Sequence, residues 1–247
     1  VVAVFAIAIQ LETMYMSFST AISGVFLPKV TSMAVRDSDG KAISDLFIKT
    51  GRVQYCVMIL VLTGFFLFGR QFIHLWAGEG YDDAYIIAMF FFVPLTVPLI
   101  QNMGITILQA RNQMKFRSLL YLGISLVSFG AQIPLAKYYG GIGCACAIAG
   151  ALVLGQILVM NVYYQVKQKI NIVGFWFEIL KMSFVPALLT VATYYILQHY
   201  TLDSVVKLIA GILIYLVVYL PLFFAISMNA YERDLILNPI KKILKKA

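Results

Sequence analysis

Charge is scarce in this sequence. Of its 247 residues only 12% are Asp, Glu, Lys or Arg, about half the share found in soluble domains. Such a chain cannot cover its own surface in water, and with 62% hydrophobic residues and a mean hydropathy of +0.89 the excess apolar area must face lipid. Histidine is almost missing: His74 and His199 are the two present, far apart and outside any cluster with metal-ligand spacing. Cysteine is nearly as rare. Cys56, Cys144 and Cys146 all lie in apolar stretches, and a Cys-x-Cys pair on a helix points its thiols about 200° apart, which excludes a mutual disulfide and a shared metal. There is no Gly-x-Ser-x-Gly, no Walker loop and no Asp-rich run for holding a diphosphate through Mg²⁺. We therefore expect no enzyme, no metal and no resident cofactor, and any ATP must act elsewhere.

What is present is apolar sequence in lengths that cross a bilayer. A span needs about 20 mostly apolar residues for about 30 Å of hydrocarbon. Seven stretches qualify, over approximately 2–32, 52–75, 83–110, 116–137, 141–165, 174–198 and 204–228. The expected fold is an all-α polytopic membrane bundle. The first and third stretches are long enough to tilt or kink, with Pro28 and the pair Pro94 and Pro98 as candidate kinks. The chain opens on Val1 with no basic n-region or cleavage site, so its first apolar run reads as a span rather than a signal peptide, and an N-terminal portion is expected to precede it.

The net charge of +8 would raise the question of nucleic acid in a soluble protein. Here the basic residues lie between apolar runs and report membrane topology instead. Odd-numbered connections and the tail collect 16 of the 19 Lys and Arg residues. The positive-inside rule puts these in the cytoplasm, with the visible N-terminus outside and the C-terminus inside. The tail, with Lys241, Lys242, Lys245 and Lys246, reads as a cytoplasmic anchor able to meet anionic membrane lipids.

Polar residues inside spans are costly, roughly 3 kcal/mol or more for a charge, and each is a functional hypothesis by default. Glu12 is the one acid well inside a span. It shares a helix face with Ser19 and Ser23, with Met16 and Thr20 alongside. Glu12 can take up H⁺ or Na⁺, answer a basic residue on another bundle, or make a structural hydrogen bond; the serines can equally be packing contacts. On the third stretch Pro98, Asn102, Thr106 and Gln109 form a second stripe, next to Gln101. Amides suit sugar hydroxyls because each offers donors and an acceptor, though bonding between helices gives the same pattern. Ser125, Ser128 and Gln132 repeat it weakly. Gly143, Ala147, Ala151 and Gly155 form a small-residue ridge for close helix packing.

Several segments carry a family likeness. Phe5-Ala-Ile-Ala with Ser19-Thr-Ala-Ile-Ser-Gly-Val-Phe-Leu-Pro-Lys29, then Gly51-Arg52, begin the pattern. It continues with Phe68-Gly-Arg-Gln-Phe-Ile-His-Leu-Trp-Ala-Gly78 followed by Tyr81 and Ala84, Leu108-Gln-Ala-Arg-Asn-Gln-Met-Lys115, and Tyr139-Gly-Gly-Ile-Gly-Cys-Ala-Cys-Ala147. In order and topology these resemble the C-terminal half of the Wzx-type polysaccharide or O-antigen flippases, members of the multidrug/oligosaccharidyl-lipid/polysaccharide exporter superfamily with a MATE-like fold. The resemblance implies a C-terminal transport bundle over 1–165, two peripheral helices over 166–228 and a basic cytoplasmic tail over 229–247. It implies alternating access for a polyprenyl-diphosphate-linked oligosaccharide in the cytoplasmic membrane of a prokaryote, against a partner half of the same transporter and alongside polysaccharide polymerase and glycosyltransferases. Glu12, Ser19, Ser23, Asn102, Thr106 and Gln109 would line the cavity. Lys29, Arg52, Arg111 and Arg117 would attract the diphosphate at the cytoplasmic mouth, unless topology alone explains them. The alternatives are a cation-coupled multidrug antiporter of the same superfamily with Glu12 as coupling site, a membrane glycosyltransferase or polymerase acting on the same lipid carrier, and a membrane scaffold.

Overall fold

The structure is a computed structural model that describes residues 2–35, 40–200 and 203–244, with side chains described outside 25–35 and 239–244. Among the described residues every regular element is helical. In order these are α1 (Val2–Val35), α2 (Gly40–Ala77), α3 (Asp83–Ile100), α4 (Met103–Ala110), α5 (Met114–Leu152), a π-helical stretch (Val153–Val159), α6 (Met160–Val166), α7 (Ile172–Leu197), α8 (Val205–Leu222), a second π-helical stretch (Phe223–Ser227) and α9 (Ala230–Leu244). Six helical stretches are long and apolar enough to cross a membrane. This is a multi-pass all-α membrane protein.

Six stretches reconcile with seven expected spans at Gly140. The stretch Met114–Val166 is 53 residues long, about 80 Å if straight at 1.5 Å per residue, far beyond one bilayer. It is not straight. Gly140 has φ 58° and ψ −136°, a conformation open to glycine and strained for any residue with a Cβ. Beyond it the chain returns antiparallel to itself: Phe116 stacks on Tyr163 at 4.1 Å, and a Cβ on Gly155 would run into the Ile124 side chain, as one on Gly143 would into the Leu135 carbonyl. The fourth and fifth expected spans are thus the two arms of one hairpin turned on a single glycine. The ridge Gly143, Ala147, Ala151 and Gly155 is buried along its length, and at Gly143 and Gly155 the missing side chain is what admits the opposing arm.

Two other boundaries differ from expectation. The basic connection expected over 33–51 is helical from Gly40, so α2 extends to 38 residues. The third span is not one helix but two, α3 and α4, interrupted at Gln101 and Asn102. Pro94 and Pro98 both lie in α3, and each removes a backbone donor from its ladder.

The chain divides into two compact units, Val1–Trp176 and Phe177–Ala247. In the first, α3 lies at the centre, packed on α1, α2 and α5, and 56% of its residues are buried. Tyr15 stacks on Phe92 at 4.3 Å, Phe65 meets Phe92 at 4.7 Å, and the Tyr15 hydroxyl is 2.7 Å from Thr96 Oγ1. Short turns close one end of this unit. Asn112 and Lys169 take positive φ after α4 and α6, and each turn is closed by a long backbone bond, Gln113 N–H to Leu108 and Ile170 N–H to Tyr164, a helix-ending arrangement that satisfies free carbonyls. The Arg111 guanidinium donates to the Gln168 side chain at 3.0 Å, Gln168 donates to Gln113 at 2.6 Å, and the Asn171 N–H donates to Ser44 at 3.1 Å. The start of α2, the α4–α5 turn and the α6–α7 turn therefore meet at one end. All three belong to basic connections.

In the second unit, Tyr215, Tyr219 and Phe223 form an aromatic ladder, and Ser227 donates to the Met182 carbonyl. The segment expected as a tail is the helix α9. Asn229 and Glu232 cap it reciprocally, backbone to side chain, at 2.8 and 3.0 Å, and Arg233 donates to the carbonyls of Phe224 and Ala225 where the second π-helical stretch ends.

The turn at Gly140 can be tested against a glycine of ordinary helical backbone. Gly140→Ala loses about 1–3 kcal/mol of stability, whereas Gly150→Ala, whose added methyl meets nothing within 4 Å, is neutral or gains up to about 1 kcal/mol from helix propensity. Denaturant unfolding in detergent micelles measures both.

Candidate functional site

The break between α3 and α4 is where backbone polarity reaches the interior of the first unit. Gln101 leaves helical geometry at φ −101° and ψ 14°. Around it the ladder tightens to i→i−3 bonding: Asn102 N–H to Leu99, Gly104 N–H to Gln101 and Ile105 N–H to Asn102. The Gly104 N–H is thereby taken from its helical partner, the Ile100 carbonyl. In hydrocarbon an unpaired carbonyl is costly, and broken helices persist only where protein or a wet cavity supplies partners.

Here neighbouring helices supply them. The Ser19 hydroxyl on α1 donates to the Leu99 carbonyl at 2.8 Å. Gln54 on α2, fully buried, completes the set in the amide orientation that pairs donors with acceptors: Nε2 lies 2.9 Å from the Ile100 carbonyl and 3.2 Å from that of Leu99, and Oε1 accepts from Ser23 at 2.6 Å. Asn102 Nδ2 donates to Ser23 Oγ at 2.9 Å. α2 can come this close because residue 51 is glycine; a Cβ there would sit 2.9 Å from the Ile100 oxygen and strike the Phe175 ring. On the far side of the break, Asn161 Oδ1 accepts from Gln101 at 2.8 Å and from the Trp176 indole N–H at 3.0 Å.

The expected cavity residues separate by this geometry. Ser19 is fully buried and its hydroxyl bonds the break. Ser23, Asn102 and Thr106 are half-buried, and Gln109 is exposed. Along α1 the inward line is Ala8, Leu11, Tyr15 and Ser19; Glu12, Met16 and Ser23 run half-buried along its flank. Among the described residues Glu12 has no hydrogen bond or ion pair. Ser125 and Ser128 bond within their own helix, to Tyr121 and Gln132, so that stripe is local.

The expected phosphate-attracting cations also separate. The Lys29 side chain lies outside the described residues. Arg52 is 4% exposed and engaged by other groups. Arg111 is held in the turn network. Arg117 is half-buried, its guanidinium donating to the Tyr121 hydroxyl at 2.6 Å while lying 4.8 Å over the same ring. None of the three cysteines is in a disulfide, and among the described residues no group of three or more His, Cys, Asp or Glu could hold a metal.

Gln54 and Asn161 were not marked by sequence. Gln54 falls at the start of the second expected span, and its role becomes visible only once the Leu99 and Ile100 carbonyls are seen to face it. Family models, curated proteins and solved structures were each compared with this chain, and none matches it.

The caps on the break should carry measurable stability. Gln54→Leu removes both carbonyl donors in one step and costs about 1–3 kcal/mol, and Ser19→Ala costs less because Leu99 keeps a second donor. Thermal unfolding in detergent gives the order Gln54→Leu, Ser19→Ala, wild type from least to most stable.

Proposed function

We propose that the first unit is one wall of an alternating-access transporter, and that its cargo is a polyprenyl-diphosphate-linked oligosaccharide moved across the cytoplasmic membrane. The observation that carries this reading is Glu12. A carboxylate inside a span, half-buried and unpaired, cannot rest against lipid. Its flank of α1 must therefore meet water or another protein surface, and Ser23 and Asn102 continue that polar strip. A second bundle facing this strip would enclose a polar passage for a sugar-diphosphate headgroup while the polyprenyl chain stays in the bilayer. Without such a passage the headgroup would have to shed its hydration against hydrocarbon.

Two further features support it. A broken helix is a recurrent device of secondary transporters, whose sites lie where helices are discontinuous. The meeting of three basic connections at one end of the unit is what the positive-inside rule asks of a cytoplasmic face, and on this reading the visible N-terminus is outside. The reading includes the resemblance to Wzx-type flippases, assigns no enzymatic step to the chain, and treats α7 and α8 as peripheral spans. Glu12 also favours a second reading, a cation-coupled antiporter of the same superfamily, in which that carboxylate binds the coupling ion.

Glu12→Gln in the intact protein abolishes or strongly reduces surface-glycan export in cells that depend on it, at unchanged protein level. Full export by this variant would leave Glu12 a packing residue; normal glycan with lost resistance to cationic drugs would select the antiporter. Single cysteines placed at Glu12, Ser23 and Asn102 react with a water-soluble maleimide, while one at Val217, 72% exposed on α8, does not.

A further inference from the structure

A second polar site lies on the other side of the α3–α4 break. The π-helical stretch Val153–Val159 carries Gln156, which is 4% exposed and whose Nε2 has no hydrogen-bond partner. An orphaned amide donor at that depth is destabilising, and π-helical insertions recur at functional sites. Gln156 borders a cavity of about 10 Å³ lined by Pro98, Gln101, Ile105, Arg117, Met160 and Tyr164 as well. That volume takes one oxygen-sized atom.

The walls of this cavity are rich in donors. Gln156 offers an amide N–H₂, Arg117 a guanidinium with one arm spent on Tyr121, and Tyr164 a hydroxyl; the Gln101 amide nitrogen is already spent on Asn161. None of the lining residues is acidic. The group that completes the site is therefore an acceptor, and the Arg117 charge selects an anionic one. A phosphoryl oxygen accepts several hydrogen bonds and has no proton to place; the rival occupant is a water molecule giving its protons to the amide oxygens of Gln101 and Gln156, and the stability of Gln156→Leu without ligand separates the two.

We infer that the cavity between Gln156 and Arg117 is a phosphate subsite, receiving one terminal oxygen of a phosphate or diphosphate group whose remainder stays at the cavity mouth. The chemistry is that of phosphoryl oxygen whether it is carried by a polyprenyl diphosphate, a bilayer phospholipid or a free anion. The site rests on the transport reading only for the identity of that carrier.

The test is thermal unfolding of the purified intact protein, wild type and Gln156→Leu, titrated with inorganic pyrophosphate and with farnesyl diphosphate, and repeated in phosphatidylcholine nanodiscs with and without phosphatidylglycerol. Binding to the native state raises Tm with concentration. We expect wild type to rise by several degrees with at least one of these probes, and Gln156→Leu to need about tenfold more of it; the probe that acts identifies the carrier. Without ligand, Gln156→Leu should be at least as stable as wild type, because it removes an orphaned donor. No shift in wild type, an equal shift in the variant, or a variant destabilised without ligand (the mark of a resident water on the amide) overturns the site. Should Gln156→Leu not accumulate, Arg117→Gln is read the same way. Glycan export is scored in parallel: export with no shift sinks the subsite and leaves the transport reading, and a shift without export does the reverse.

Discussion

The first unit depends on one requirement, that a carbonyl released inside hydrocarbon must find a donor within the protein. The interruption at Gln101 releases the Ile100 carbonyl, which Gln54 reaches from α2, and Ser19 from α1 and Gln54 both bond the neighbouring Leu99 carbonyl. Three elements are thereby tied at one depth by directional bonds. Most other contacts in the unit are apolar, and dispersion between greasy surfaces gives little register in lipid because the tails are as apolar as the side chains. The hydrogen bonds at the break supply it. Gly51 belongs to the same device, since its lack of a side chain sets how closely α2 approaches the Ile100 oxygen.

Much of this architecture was legible in the sequence, and the reasons differ by feature. Span length and apolarity follow from bilayer thickness, so the membrane class and six helical stretches were readable, including the paired arms on either side of Gly140. The spacing of those spans also left 138–140 as their connection; that the reversal turns on Gly140 alone was not readable, because a glycine pair does not say which residue takes the unusual backbone angles. α2 begins at Gly40 rather than Arg52 because its first three turns are polar enough to pass for a connection. The interruption at Gln101 was foreshadowed by Pro94 and Pro98, but as a kink and not as a break three residues further on.

The polar stripes were readable as stripes and not as partnerships. Periodicity placed Ser19, Ser23 and Glu12 on one face of α1, yet about two turns of the helix separate a sealed structural hydroxyl from a half-open carboxylate, and a wheel diagram cannot resolve that. Gln54 had no stripe to belong to. Gln156 sat beside the small-residue ridge and drew no notice, since an amide among Leu, Gly and Ile has no period. A buried amide acquires meaning from what faces it, and that is tertiary information.

The bond from the Trp176 indole to Asn161 has a spectroscopic consequence. Asn161 also holds Gln101, so the indole is two hydrogen bonds from the break. The chain contains one other tryptophan, Trp76, which is 48% exposed near the far end of α2. With Trp76 replaced by phenylalanine, the emission of Trp176 becomes an intrinsic optical gauge of α3. Its wavelength and quenching would follow any rearrangement at Gln101 in real time, with no attached dye.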